Sequence, residues 1–321
     1  MSIAIRPIAT YAITGVTGQV GSAVAEALLA RGQKIRAVMR NPDKSEAWKA
    51  RGCDIAIADV NDVVALTTAF SGVDGVFVLL PPVFDPSPGF TEEAAMVASM
   101  HDALAAARPP RIVCLSTIGA QSTRPNLLNL LGMMEKSFAE LPASVSFLRA
   151  GWFMENALWD VPSARDEGVL RSFLQPLDKR FPMVATHDVG VLAAELLQQK
   201  PPGTSIVELE GETRISPNDI ASAFAKALSR SVTAEVVPRD TWMDLFTRQG
   251  MKNPTPRMQM LDGFNEGWIR FASDDAHVRK GSTSLDTVIT QRLAANDSTT
   301  QANPEKPFAD LPRQIQHTTP T

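Results

Sequence analysis

Gly15, Gly18 and Gly21 recur in the run Gly15-Val16-Thr17-Gly18-Gln19-Val20-Gly21, behind the apolar stretch Tyr11-Ala12-Ile13-Thr14 and ahead of a helix-like segment from Val20 to Ala30. A strand, a glycine-rich turn and a helix in that order form a cradle for phosphate. Residues without Cβ let the chain turn sharply and let a ligand approach the backbone closely. The first helical turn, with Thr17, Gln19 and Val20 in it, offers unpaired N–H groups and the positive end of the helix dipole. The anion that suits this corner is the pyrophosphate of a dinucleotide, although the glycines by themselves fit a plain strand-to-helix turn equally well.

The residue that reads the ribose is expected at the end of the second strand, roughly 20 residues past the glycines. Arg40 stands there, where an NAD-specific site would place an acid. A guanidinium can pair bidentately with the 2′-phosphate of NADP, and Lys44 in the following Asn41-Pro42-Asp43-Lys44 turn adds a second cation. NADP(H) is therefore the expected cofactor and NAD(H) the lesser one, the alternative for Arg40 being a solvated charge at a strand end. Asp59 and Val60, after the third strand, fall where a carboxylate can accept from the adenine amino group; capping the next helix is the other role open to Asp59. Leu79-Leu80-Pro81-Pro82 closes the fourth strand as an extended wall, and Ser116-Thr117 closes the fifth. Ligands of open α/β sheets sit beyond the carboxyl ends of the strands, so these residues should converge on one crevice.

The elements that must position them are legible as an alternation. Tyr11–Thr14, Ile35–Met39, Ile55–Ala58, Gly75–Leu80, Arg111–Ser116 and Val145–Leu148 are short β-rich runs separated by helical stretches. This predicts an α/β fold, a Rossmann-type doubly wound parallel sheet whose strands are buried on both faces. We expect the nucleotide-binding domain over residues 1–150, a smaller α+β substrate lobe over 151–293 and a disordered tail over 294–321 that has little to bury. Within the lobe, Gly168–Phe173 and Phe181–Ala185 look like a hairpin, Asp188 like the cap of a helix to Gln199, and Ile206–Leu209 like a further strand. Ser216-Pro217-Asn218-Asp219 opens a helix, and Trp242–Gln249 and Gln259–Phe271 read as two more.

Composition narrows the function classes. Among 321 residues, 31 Lys and Arg face 35 Asp and Glu for a net charge of -4, so no basic stripe offers itself to nucleic acid. Cys53 and Cys114 have no metal-ligand spacing and imply no disulfide framework, which fits a reducing cytoplasm. No His, Cys and carboxylate cluster has zinc spacing, and no metal is expected. His101 reads as a surface residue and His187 as part of a capping turn. No signal core or membrane-spanning run is evident. The expected partner is a small organic molecule, with the chain a monomer or a dimer.

The segments Ile13-Thr14-Gly15-Val16-Thr17-Gly18, Met39-Arg40-Asn41-Pro42, Leu115-Ser116-Thr117-Ile118-Gly119-Ala120 and Leu148-Arg149-Ala150-Gly151-Trp152-Phe153-Met154-Glu155-Asn156 resemble the NmrA-like group of atypical short-chain dehydrogenases/reductases over most of residues 10 to 290. The last segment looks most like the quinone oxidoreductase branch and, more distantly, the triphenylmethane and isoflavone-type reductases. The resemblance implies a Rossmann-type fold and NADP binding. It implies two functions as well, since the group holds both reductases and a cofactor-sensing regulator.

Ordinary members of the wider superfamily take a proton donor from a Tyr-x-x-x-Lys pair. Here the only tyrosine is Tyr11, in the first strand, and Lys136 has Gly132 four positions before it. Loss of a proton donor costs on the order of a hundredfold or more in carbonyl reduction. A quinone or another conjugated electrophile escapes that requirement, because hydride can be delivered directly and water can complete the protonation. Trp152 and Phe153 are candidate flat walls for such an acceptor, or else core packing at a domain junction. Thr117 and Asn156 are candidates to orient the carboxamide or the acceptor oxygen, with Lys136 a weaker catalytic candidate. The expectation is an NADPH-dependent oxidoreductase acting on quinone-like acceptors; the alternative is a non-catalytic NAD(P)(H)-binding redox sensor that regulates a protein partner.

Overall fold

The computed structural model describes residues 8–199 and 203–298. In chain order its strands are β1 (Thr10–Ile13), β2 (Lys34–Met39), β3 (Asp54–Ile57), β4 (Gly75–Val78), β5 (Arg111–Thr117), β6 (Ser144–Ala150), β7 (Trp152–Phe153), β8 (Val169–Ser172), β9 (Met183–Val184), β10 (Thr204–Gly211), β11 (Thr233–Val236) and β12 (Arg279–Gly281). The helices are α1 (Gln19–Leu29), α2 (Glu46–Lys49), α3 (Val63–Phe70), α4 (Thr91–Ala107), α5 (Asn129–Phe138), α6 (Val161–Asp166), α7 (Thr186–Leu197), α8 (Pro217–Leu228), α9 (Trp242–Arg248), α10 (Thr255–Glu266) and α11 (Leu285–Ser298). Eight strands form one sheet in the order β12-β10-β6-β5-β4-β1-β2-β3, every pair parallel.

Alternation along the central strands explains why helices cover both faces. Ile13, Phe77, Val113 and Leu148 point to a core shared with α1 and α7, while Ala12, Val76, Ile112 and Phe147 point to a second core under α3, α4 and α5. Each fully buried Val, Ile, Leu or Phe among them contributes about 1.5–3 kcal/mol. A third core, holding Phe224, Trp242, Phe246 and Phe264, is built mainly from the segments after β6, with Ile118 and Leu127 joining it from the segment after β5. The Rossmann-type sheet is thus as expected from the alternating pattern.

The second half of the chain corrects several expectations. Its segments do not stay on one side of a boundary at residue 150: β10 pairs with β6 and β12 with β10, so both return to the main sheet, and α7 packs on the face that carries α1. The expected hairpin is absent. β8 pairs in parallel with β11 and β9 in parallel with β7, because the intervening segment carries each strand to a different neighbour. Helix α7 begins at Thr186, so Asp188 lies in its first turn, where its carboxylate accepts from the Thr283 N–H and hydroxyl, both at 2.8 Å. Ser216 does cap α8, through a reciprocal pair with Asp219. Helix α10 spans Thr255–Glu266 and stops at Gly267 in a left-handed conformation, short of Phe271. Helix α11 continues to Ser298, past the expected start of the tail; residues 299–321 lie outside the described residues.

Candidate functional site

The β1–α1 corner is built around backbone. Gly15 has φ +63°, and its carbonyl accepts from the Gly18 N–H at 2.9 Å. A Cβ on Gly21 would stand 2.1 Å from the Gly15 oxygen, so the helix can follow the strand this tightly only with glycine there. Gly18 is different. Its φ of -97° suits any residue, it is exposed, and a Cβ there would meet nothing closer than the Gly15 oxygen at 3.4 Å. The fold leaves the outer side of Thr17, Gly18 and Gln19 open, which is what a phosphate cradle requires. Thr14 fixes the floor: its hydroxyl donates to the Phe77 carbonyl at 3.1 Å and accepts from the Leu79 N–H at 2.7 Å. The Leu79 side chain backs Gly15, Val20 is buried in the core behind, Leu80 is buried, and Pro81 is exposed.

Arg40 and Lys44 are exposed just past β2, the strand beside β1, and neither side chain makes a hydrogen bond or ion pair among the described residues. Two free cations beside an open cradle fit the extra phosphate of NADP(H). Asp59 and Val60 are half-buried after β3. Asp59 Oδ1 accepts from the Asn61 N–H at 3.0 Å, while Asp62 caps α3 by accepting from the Ala65 N–H at 2.9 Å, so the capping role considered for Asp59 falls to Asp62.

At the carboxyl end of β5 lies a network that sequence reasoning missed. Register places Ser116 beside Arg149 of β6 and Arg149 beside Glu208 of β10, so three polar side chains form a row on one face of the sheet. Glu135 of α5 completes it. Ser116 Oγ donates to Glu135 Oε1 at 2.5 Å, and Arg149 donates to both Glu135 oxygens. Arg149 Nη1 reaches Gln121 Oε1 at 3.1 Å and Glu208 Oε1 at 3.4 Å. Gln121 donates on to the Arg270 carbonyl, and Glu208 accepts from the Ala272 and Ser273 N–H groups at 2.8 and 2.9 Å. Burial by itself would raise the Glu208 carboxyl, yet those N–H groups and Arg149 hold it below its ordinary value. A lone Arg in the apolar strand Val145-Ser146-Phe147-Leu148-Arg149 and a Glu between the buried Met134 and Phe138 region and Lys136 were the available signals, since buried charges need partners.

The same region shows what occupies the place of a tyrosine. A Cβ on Gly132 would lie 2.6 Å from the Ala120 oxygen, so the loop after β5 rests directly on α5. Lys136 is exposed, and its side chain makes no hydrogen bond or ion pair among the described residues. The one proton of the Ser116 hydroxyl is committed to Glu135, which leaves its oxygen able only to accept.

Thr117 and Asn156 are half-buried; the Thr117 hydroxyl donates to the Ile118 carbonyl at 3.2 Å, and the Asn156 side chain makes no hydrogen bond among the described residues. Trp152 and Phe153 do not face one slot. They are successive residues of β7 and so point to opposite sides, Trp152 packing edge-on against Phe264 at 5.2 Å in the lobe core and Phe153 against the core of α1 and α7. Glu155 caps α7: it accepts from the Thr186 N–H at 2.9 and 3.1 Å and the Thr186 hydroxyl at 2.6 Å, a favourable placement of an anion at a helix N-terminus. A cavity of about 460 Å³ lies elsewhere, between the segments that follow β10 and β12. Four of its charges are paired with one another, Arg180 with Asp219 at 3.0 Å and Lys226 with Asp286 at 2.5 Å, and it contains none of the cradle residues.

The fold and the corner together define a Rossmann-type α/β protein of the dinucleotide-binding kind. The sequence pattern of the NmrA-like family matches residues 9–267, and the chain belongs to that family. It is 26% identical to quinone oxidoreductase 2 of Escherichia coli (strain K12) over 91% of this chain and 96% of that protein. It is 25% identical to an NAD(P)H azoreductase of Xenophilus azovorans over 79% of this chain and 84% of that one. Among solved structures, the Escherichia coli NADPH-dependent quinone oxidoreductase complexed with NADPH superposes with a TM-score of 0.72 at 25% identity, covering 88% of this chain and 99% of that one. The Citrobacter sp. triphenylmethane reductase complexed with NADP(H) shares the fold, with a TM-score of 0.73 at 20% identity and the same two shares.

Proposed function

We propose that this chain is an NADPH-dependent reductase that passes hydride to a quinone or a similarly conjugated acceptor without a Tyr-Lys dyad. The observation that carries this reading is the open cradle at Thr17, Gly18 and Gln19 beside the free guanidinium of Arg40. Relatives that match the chain over most of its length are named for quinone and azo reduction, which supports the same reaction class.

The residues divide the work. Backbone N–H groups from Thr17 to Gly21 would hold the pyrophosphate, and Arg40 with Lys44 the 2′-phosphate. Asp59 and Val60 would meet the adenine, with Leu79, Leu80 and Pro81 as the wall beside the ribose and nicotinamide. Thr117 and Asn156 would orient the carboxamide or the acceptor oxygen. When bound, NADPH supplies the hydride. Among the described residues, neither Gly132 nor Ser116 offers a proton donor at the end of β5: Gly132 stands against backbone, and the Ser116 proton belongs to Glu135. An electrophile whose reduced form is a stabilised anion tolerates this, because water can deliver the proton afterwards. Two buried thiols and no disulfide requirement suit a cytoplasmic setting.

The test is NADPH oxidation against a panel of quinones, azo dyes and triphenylmethane dyes, run beside calorimetric titration of NADPH and NADH. Turnover on at least one class is expected. Arg40→Asp should raise the Kd for NADPH by about tenfold or more while changing that for NADH by no more than about twofold. Tight NADPH binding with no turnover on any acceptor would replace this reading with that of a redox sensor.

A further inference from the structure

Two aromatic rings meet above the strand ends. Phe84, in the loop after β4, and Trp159, in the helical turn Met154–Asp160 that follows β7, have ring centroids 6.1 Å apart at an interplanar angle of 79°. Strands β4, β5 and β6 are neighbours in that order, so a contact between the segment after β4 and the segment after β6 and β7 spans the carboxyl end of β5. Ser116 and Thr117 stand at that end. The rings therefore bridge the crevice over the position where an acceptor must approach.

One partner of the bridge is fixed and the other is open. Asp85 accepts from the Lys252 and Asn253 N–H groups at 2.8 and 2.7 Å, and Asn253 Nδ2 donates to the Pro86 carbonyl at 3.0 Å. On the other side Ser87 donates its N–H and hydroxyl to Glu93, which is buried on α4. Phe84, half-buried against the lobe core, is thus held by a loop tied to the lobe and to α4. Trp159 is 51% exposed, and its indole N–H donates to no group among the described residues. An edge-on pair with one exposed face leaves a flat apolar surface on which an aromatic molecule can stack.

We propose that Phe84 and Trp159 form an aromatic clamp at the mouth of the site, which favours flat multi-ring acceptors over single-ring ones. The proposal rests on the reductase reading above and names the residues that set acceptor choice within it. Phe84 is the rigid jaw. Trp159 is the face that stacks, and its surface becomes covered only when an acceptor is bound.

The experiment compares Trp159→Ala, Trp159→Phe and Phe84→Ala with the parent chain, using a one-ring and a three-ring quinone and calorimetry for NADPH. Loss of one stacking partner should raise KM for the three-ring quinone about tenfold and KM for the one-ring quinone less than about threefold. The effect falls on KM rather than kcat, Trp159→Phe recovers most of it, and the Kd for NADPH stays the same. An equal rise for both quinones, or no rise for either, overturns the clamp. Should the parent bind NADPH yet reduce nothing, the reductase reading fails separately. The clamp is then read by titrating the three-ring quinone into the NADP-loaded protein, where equal affinity in the parent and Trp159→Ala overturns it and weaker affinity in the variant sustains it.

Discussion

Arg149 grips both carboxylate oxygens of Glu135, Nε to Oε1 at 2.9 Å and Nη2 to Oε2 at 2.7 Å, with the two side chains only 5% and 10% exposed. The pair joins strand β6 to helix α5 beneath the end of β5. Its spare nitrogen reaches Gln121 and Glu208, which in turn hold the backbone of residues 270–273, so one guanidinium ties the cofactor-side strands to the segment that crosses them. Burial works against the charge on Arg149, but Glu135 and Glu208 more than offset it and leave the guanidinium harder to deprotonate than usual.

Arg149→Met should therefore destabilise the fold out of proportion to its change in volume. It leaves Glu135 and Glu208 buried without a cation, which costs about 3–5 kcal/mol. Urea unfolding of the single variant and of Arg149→Met combined with Glu135→Gln checks this. The second change removes a stranded charge, so the double variant should regain stability relative to Arg149→Met. A double variant less stable than the single one would show that the pair is not what the arginine supports.

The glycines of the β1–α1 corner should separate under mutation. Gly21→Ala forces a methyl against the Gly15 carbonyl and should cost about 1–3 kcal/mol of stability. Gly18→Val brings a Cβ no closer than 3.4 Å to the Gly15 oxygen, an ordinary contact, and sits at the helix N-cap, so its stability should stay within about 1 kcal/mol of the parent. Its NADPH affinity should nevertheless fall by about tenfold or more, because the new side chain fills the cradle from outside. Thermal melts with and without NADPH measure both quantities. An unaltered NADPH-induced shift in Tm for Gly18→Val would mean that no phosphate approaches there.

The corner was legible in the sequence because everything that makes it is local: glycine spacing, an apolar run before and a helical pattern after. The six leading strands were legible for the same reason. What escaped was set by contacts between distant segments. No local feature of Thr204–Gly211 or Arg279–Gly281 says that these strands extend the main sheet, since parallel pairing joins segments far apart in the chain. Lys136 holds the sequence position of the family lysine, yet one helical step of about 100° turns Glu135 inward and leaves Lys136 in solvent. Trp152 and Phe153 read as a pair of walls only until β7 sends them to opposite sides. The aromatic contact at the mouth, Phe84 with Trp159, joins residues whose neighbours carry no shared pattern.

Asp160, next to that exposed tryptophan, should make stability depend on pH in the sense opposite to an ordinary paired carboxylate. Burial pushes its carboxyl up to about 7, opposed by Arg171, which is itself tied to Glu167 at 2.5 Å. In the unfolded chain the group titrates near its usual value of about 3.9. Between those two values the folded state binds the extra proton, so Asp160 favours folding at low pH and that contribution is lost as pH rises to about 7, with no further change above. Asp160→Asn removes the buried charge. Because the side chain is only half-buried, the variant should gain about 1–2 kcal/mol over the parent at about pH 8 and no advantage at about pH 4. Urea midpoints at the two pH values decide the matter: an equal gain at both, or a loss at the higher pH, would mean that the carboxylate is solvated or paired in the folded protein.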